Sequence, residues 1–197
     1  MTTTTPRIYV ACLAAYNAGK LHGAWIDCDQ DADDIQSEIA EMLRESPEPN
    51  VTVEHPDTGE QVPSAEEWAI HDYEGFGEWK LGENESIESI AAYAAILADL
   101  DDSEAEAFQA WIDNQGSSNY DIDESSVDEF RENYQGCHND LADYAQQWCE
   151  DTGSIPRDLP TWLSCNIDWD GVGREFQMGG DIWTHRGEHG LHVFYNI

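Results

Sequence analysis

The chain has 197 residues, 40% of them apolar, with eight Trp and eight Tyr and a formal net charge of −34 from 42 acidic and eight basic residues. Such aromatic content excludes a disordered acidic chain. The charge excludes direct binding to nucleic acid or an anionic membrane, each of which needs a basic surface.

"RIYVACLA" (7–14) is rich in β-formers and reads as a strand, with "GAWIDC" (23–28) as its partner across the turn-rich "YNAGKLH". Ile35, Ile39, Met42 and Leu43 recur at helical spacing, which predicts an amphipathic helix ended by Pro47 and Pro49. "NVTVEH" (50–55) reads as a third strand, so the opening looks like ββαβ. In "SAEEWAIHDYEGF" (64–76), Ser64 with Glu67 has the spacing of a capping box and predicts a short helix. A second helix follows at 86–100, with Ile87, Ile90, Ala94, Leu97 and Leu100 on one stripe. Ser103 with Glu106 predicts the cap of a third, running through Trp111 and Ile112 and closed by Gly116.

Ser126 with Glu129 predicts another helix start, with Val127, Phe130 and Tyr134 on one face. A break at Gly136 precedes a helix through Leu141, Tyr144, Ala145 and Trp148, closed by Gly153. "IPRDLPTWL" holds a short helix, "NIDWDGVGREFQMG" is ambiguous because its glycines weaken a helix, and "LHVFYNI" reads as a final strand. The fold class is therefore α+β, an elongated chain of three small modules. Residues 1–62 form a β-sheet plus helix, 63–116 a helical module, and 117–197 an α+β module.

The charge is spread along all three. Residues 1–60, 61–112 and 113–197 carry −9, −12 and −13, and the fifty positions 81–130 hold fourteen acids and no Lys or Arg. Five cysteines form no CxxC pair, and neither a signal segment nor a membrane-length apolar run occurs. Reduced thiols in a cytoplasm are expected.

Specific chemistry is thin. Asp27, Asp29, Asp31, Asp33 and Glu38 follow calcium-loop spacing, but Ala32 stands where the sharp turn wants Gly, and a strand precedes the segment. The bland reading, acids at a helix N-terminus, is preferred. His185, His189 and His192 with Glu188 are zinc-ligand types, but Gly187 and Gly190 favour a polar turn before an edge strand. No nucleophile elbow, phosphate loop or dinucleotide fingerprint is present. No metal, cofactor or catalytic activity is expected.

The positive signal is the acidic surface. Duplex DNA carries one negative charge per roughly 1.7 Å, so 34 charges correspond to roughly 58 Å, about 17 base pairs. A solvated or salt-adapted surface is the plain alternative, as are an acidic metal-binding enzyme and an acidic chaperone for some other basic protein.

Ordered motifs decide among these. "IYVACLAAYNAGKLHGAWID" (8–27), "HDYEGF" (71–76), "VDEFRENYQG" (127–136), "WCEDTG" (148–153) and "HVF" (192–194) resemble, in order, segments of the ArdA antirestriction family. The resemblance implies a non-catalytic DNA mimic that occupies the DNA-binding groove of type I restriction–modification enzymes, at the methyltransferase core. It also implies an elongated, curved homodimer carried on mobile elements and acting in the bacterial cytoplasm. The acids expected to face the partner are Asp72, Glu74, Asp99, Asp101, Asp102, Glu104, Glu106, Asp113, Asp121, Asp123, Glu124, Asp128, Glu129 and Glu132. Val127, Phe130 and Tyr134 are expected at the dimer contact.

Overall fold

A computed structural model describes residues 5–77, 79–116, 122–123, 125–156 and 158–196. It is mixed α+β, with three small antiparallel sheets and eight helices among the described residues.

Strand β1 (Arg7–Cys12) sits in the middle of the first sheet, between β2 (Gly23–Asp27) and β5 (Trp68–Glu74). Ile8, Val10 and Cys12 share one pleat face, have no exposed surface, and belong to one core cluster with Ile35 and Ile39 of α2 (Ala32–Arg44). The short helix α1 (Leu13–Asn17) carries the chain from β1 towards β2.

Two expectations fail here. The third strand of this sheet is not 50–55. That segment forms β3 (Val51–Glu54), which pairs only with β4 (Gln61–Ser64) in a separate hairpin. The sheet is completed instead by β5, in the stretch expected to be a helix. Ser64 caps nothing: it is the last residue of β4, and its hydroxyl donates to the Ala65 carbonyl. The backbone of β5 pairs with β1 from Arg7↔Glu74 to Cys12↔Trp68, with a bulge at Tyr9/Val10. Tertiary pairing overrides the local helix signal because it supplies a partner for each backbone group of an otherwise marginal segment.

The helices follow. α3 (Ile87–Asp99) starts at Ser86, whose hydroxyl accepts the Ser89 N–H. It is buried on most sides, with Tyr93 and Ile96 inside as well as Ile87, Ile90, Ala94 and Leu100 of the expected stripe, and Leu97 half-buried. α4 (Asp102–Gln115) ends at Gly116 as expected, and α5 (Ser126–Asn133) leads directly into strand β6 (Tyr134–His138), where the sequence suggests a break. Then come α6 (Leu141–Asp151), α7 (Thr161–Ser164) and α8 (Trp169–Gly179).

The ambiguous segment is thus α8. A Cβ on Gly173 would lie 2.6 Å from the Leu141 carbonyl, so the glycine that weakens the helix also lets α8 pack close to α6. Strand β7 (Ile182–Arg186) pairs with β8 (Leu191–Tyr195), and the sheet order β6-β8-β7 makes the final strand central rather than an edge.

The main core is continuous across the chain. Rings follow one another from Phe76 to Tyr93 (centroids 5.6 Å apart), Phe108 (5.9 Å), Phe130 (5.4 Å), Phe194 (6.5 Å) and Trp183 (4.0 Å). This file of aromatics joins the N-terminal sheet, the central helices and the last sheet in one apolar body. A smaller cluster of Tyr144, Ile182, Leu191 and Val193 lies under α6 and α8.

Candidate partner-binding surface

The acids of the central helices are sorted by how those helices are pinned. In α4 the cap is Asp101, not Ser103: its Oδ1 accepts the N–H groups of Ser103 and Glu104, each at 2.9 Å. With Ala105, Phe108 and Ile112 buried, the helix turns Asp102 and Asp113 to solvent. Before α5 the expected Ser126–Glu129 box is also absent. The Ser126 hydroxyl instead accepts the Asp123 N–H, and the Asp123 carboxylate takes the Ser125 hydroxyl and N–H. Those bonds hold the Asp123 carboxyl below the usual range.

Of the fourteen acids expected to face a partner, Asp121 and Glu124 lie outside the described residues. Ten are exposed: Asp72 and Glu74 on β5, and Asp99, Asp101, Asp102, Asp113, Asp123, Asp128, Glu129 and Glu132 on or beside α3, α4 and α5. Glu104 and Glu106 are half-buried. Little positive charge offsets them. Among the described residues, Lys or Arg meets a carboxylate in three pairs: Arg7–Glu74 at 2.7 Å, Lys20–Glu48, and Arg174–Asp168 at 3.9 Å. Glu74 is therefore already engaged, while Asp99, Asp102, Asp113, Asp128 and Glu132 form no such ion pair among the described residues.

Glu106 departs from the expected role altogether. Its carboxylate points into the turn between β7 and β8. Oε1 accepts the Glu188 N–H at 2.6 Å. Oε2 accepts the His189 N–H at 3.1 Å, the His189 ring at 3.1 Å and His192 Nε2 at 2.9 Å. A Cβ at Gly187 would overlap this carboxylate, so a larger residue there would push the Glu106 side chain out of the turn. Burial pushes the Glu106 carboxyl up, but the donated bonds from His192, Glu188 and His189 outweigh it and bring it down to about 2.

His192 is fully buried, and burial pulls its pKa down despite the carboxylate beside it. The neutral ring then has one consistent tautomer: Nε2–H donates to Glu106 and Nδ1 accepts the Tyr134 hydroxyl at 3.0 Å. Burial raises the Tyr134 phenol, which keeps the proton it donates. Of the zinc-ligand types at 185–192, the His189 and His192 rings thus bind an anion of their own chain, and Glu188 does so through its backbone N–H. The spacing of Ser103 and Glu106 concealed this by suggesting a local cap. The two glycines of "HRGEHG" were the available sign of a turn closing on something.

Phe130 has no exposed surface and stacks on Tyr134 at 5.0 Å within the chain's own core. A dimer contact through its side chain would require that core to open. Val127 and Tyr134 are half-buried. At the other acidic motif, Gln30 donates to the Asp27 carbonyl and to Glu38 Oε1, bracing the junction into α2, and Asp33 and Asp34 occupy its first turn. Among the described residues no group of three or more His, Cys, Asp or Glu could hold a metal ion. All five cysteines are free thiols.

The family described as Antirestriction protein (ArdA) matches residues 8–189 of the chain. No curated protein matches it.

Proposed function

The chain belongs to the ArdA family of antirestriction proteins, non-enzymatic DNA mimics that inhibit type I restriction enzymes, and we propose that its exposed acids on α3, α4 and α5 act as the pseudo-phosphates. The observation that carries this reading is the outward set of carboxylates between Lys80 and Arg131, a stretch with no basic residue of its own. Helices anchored by a shared apolar core hold these charges in fixed positions, as a duplex holds phosphates. Binding displaces counterions from the basic DNA groove of the methyltransferase core and weakens as salt rises. The acting surface is Asp99, Asp101, Asp102, Asp113, Asp123, Asp128, Glu129 and Glu132, supplemented by Asp72 from β5 and by Asp121 and Glu124.

The active form is an elongated, curved homodimer in the bacterial cytoplasm, with Val127 and Tyr134 at the contact and Phe130 positioning them from beneath. Among the described residues, no helix is long and apolar enough to cross a membrane. Light scattering tests the dimer: Tyr134→Ala lowers the mass to that of one chain, and an unchanged mass removes the assignment.

Function is tested by competition. A type I methyltransferase is bound to labelled duplex DNA and titrated with the protein at two salt concentrations. Stoichiometric displacement that fades with salt is the expected result. Absence of displacement at low salt, with the protein folded, refutes the reading.

A further inference from the structure

Between α2, α3 and α5 the surface sinks into an open groove of about 790 Å³. Its floor is small and apolar: Ala92, Ala95 and Ala98 of α3, with Ile96 beside them, Ile122 on the far wall, and next to it Val127, the one lining residue that the proposed dimer contact shares. Ala95 and Ala98 are exposed, so the floor is open to solvent. The rim is acidic. Asp29 and Asp31 stand at the N-terminal end of α2, Glu88 and Asp99 near the two ends of α3, and Asp123 opposite them, with Arg131 as the one cation among the described residues of the lining. Gln36 of α2 donates to Glu88 of α3 at 3.1 Å, tying two walls together at one end.

We propose that this groove seats a basic amphipathic helix of the restriction enzyme, its small apolar face on the alanines and its Lys or Arg side chains on the rim. The proposal rests on the antirestriction reading and goes beyond it, because a pseudo-phosphate surface needs charge alone. A phosphate-like surface offers no apolar seat, whereas this groove joins one to five carboxylates. Alanines let a second helix approach closely, and the stretch from Glu88 to Asp99 spans about 16 Å, roughly three helical turns. Long basic side chains lay their methylene stems along apolar surface and carry their charge to the rim. Charge complementarity thus selects a cationic helix over an acidic or neutral one.

The test uses the whole protein and two labelled 18-residue peptides of identical Lys, Leu and Ala composition. One places Leu and Ala on a single helical face, and the other scatters them. Fluorescence anisotropy is expected to show the amphipathic peptide binding at least tenfold tighter. Ala95→Trp and Ala98→Trp, which fill the groove without altering charge, should each remove that preference while leaving the thermal unfolding midpoint unchanged. Equal binding of the two peptides, or an unchanged preference in both variants, overturns the proposal. So does a light-scattering mass that falls in the Trp variants, since the groove would then hold a second copy of the chain. Displacement of DNA from the methyltransferase separates the two readings. If wild type displaces DNA and both Trp variants match it, DNA mimicry stands and the groove proposal fails. If wild type itself displaces nothing, the antirestriction reading fails.

Discussion

The outer face of α3 to α5 and the junction between α4 and the β7–β8 turn use the same functional group in opposite ways. On the face, Asp99, Asp102, Asp113, Asp128 and Glu132 are exposed to water. At the junction, the Glu106 carboxylate accepts two backbone N–H groups and two imidazoles. Only a few residues separate it from Asp101 and Asp102. A charge solvated by water interacts weakly and additively with a partner, whereas a half-buried charge with several donors is a structural keystone. In a chain this acidic, sequence position does not say which acid does which.

Removing the keystone should produce the largest effect. Glu106→Ala leaves the buried His192 N–H without its acceptor and frees the turn. Urea denaturation is expected to show a loss of about 3 kcal/mol. A loss within error of an exposed control such as Asp113→Ala would erase the distinction between the two regions.

Acidity sharpens the same contrast. Both junction groups have depressed pKa values in the fold. The unfolded chain therefore takes up protons that the folded chain refuses, and stability is lost as pH falls. His192 contributes as pH drops below its ordinary 6.5, and Glu106 between its ordinary 4.5 and about 2. General protonation of surface acids relieves repulsion and acts the other way. The difference in stability between wild type and Glu106→Gln cancels most of that background. It should narrow as pH falls below 4.5, and a constant difference down to pH 2.5 would contradict the assignment.

The face should respond only in bulk. Converting Asp99, Asp102, Asp113 and Asp128 together to Asn is expected to weaken DNA displacement about tenfold, at roughly 0.3–0.5 kcal/mol per charge. Thermal stability should hold or rise slightly as repulsion falls. Asp101→Asn is the smallest change: Asn still caps α4, so both stability and displacement should stay within about twofold of wild type. A full loss of inhibition from that one substitution would show that charge on the face is concentrated, not distributed.

Much of the architecture was legible in the chain because its signals are local. The burial of Ile35, Ile39, Met42 and Leu43 follows from helical spacing, and the stop at Gly116 from a residue that accepts a left-handed conformation. Misreadings arose where a local pattern competed with a distant partner. Ser64 and Glu67 have capping-box spacing, yet the stretch that follows forms β5 because β1 leaves one edge open for pairing. The glycines of 171–173 read as helix breakers, although one of them is needed for α8 to meet α6.

Composition and ordered motifs alone determined that this is a folded, highly acidic, antirestriction-type chain. Charge density and residue order survive without coordinates. Only the tertiary structure decided that Glu106 faces inward, that Phe130 belongs to the core, and that α2, α3 and α5 enclose an acid-rimmed apolar groove. Each of these depends on segments far apart in sequence. The direction of a side chain is set by what packs behind its helix, and no local spacing records that.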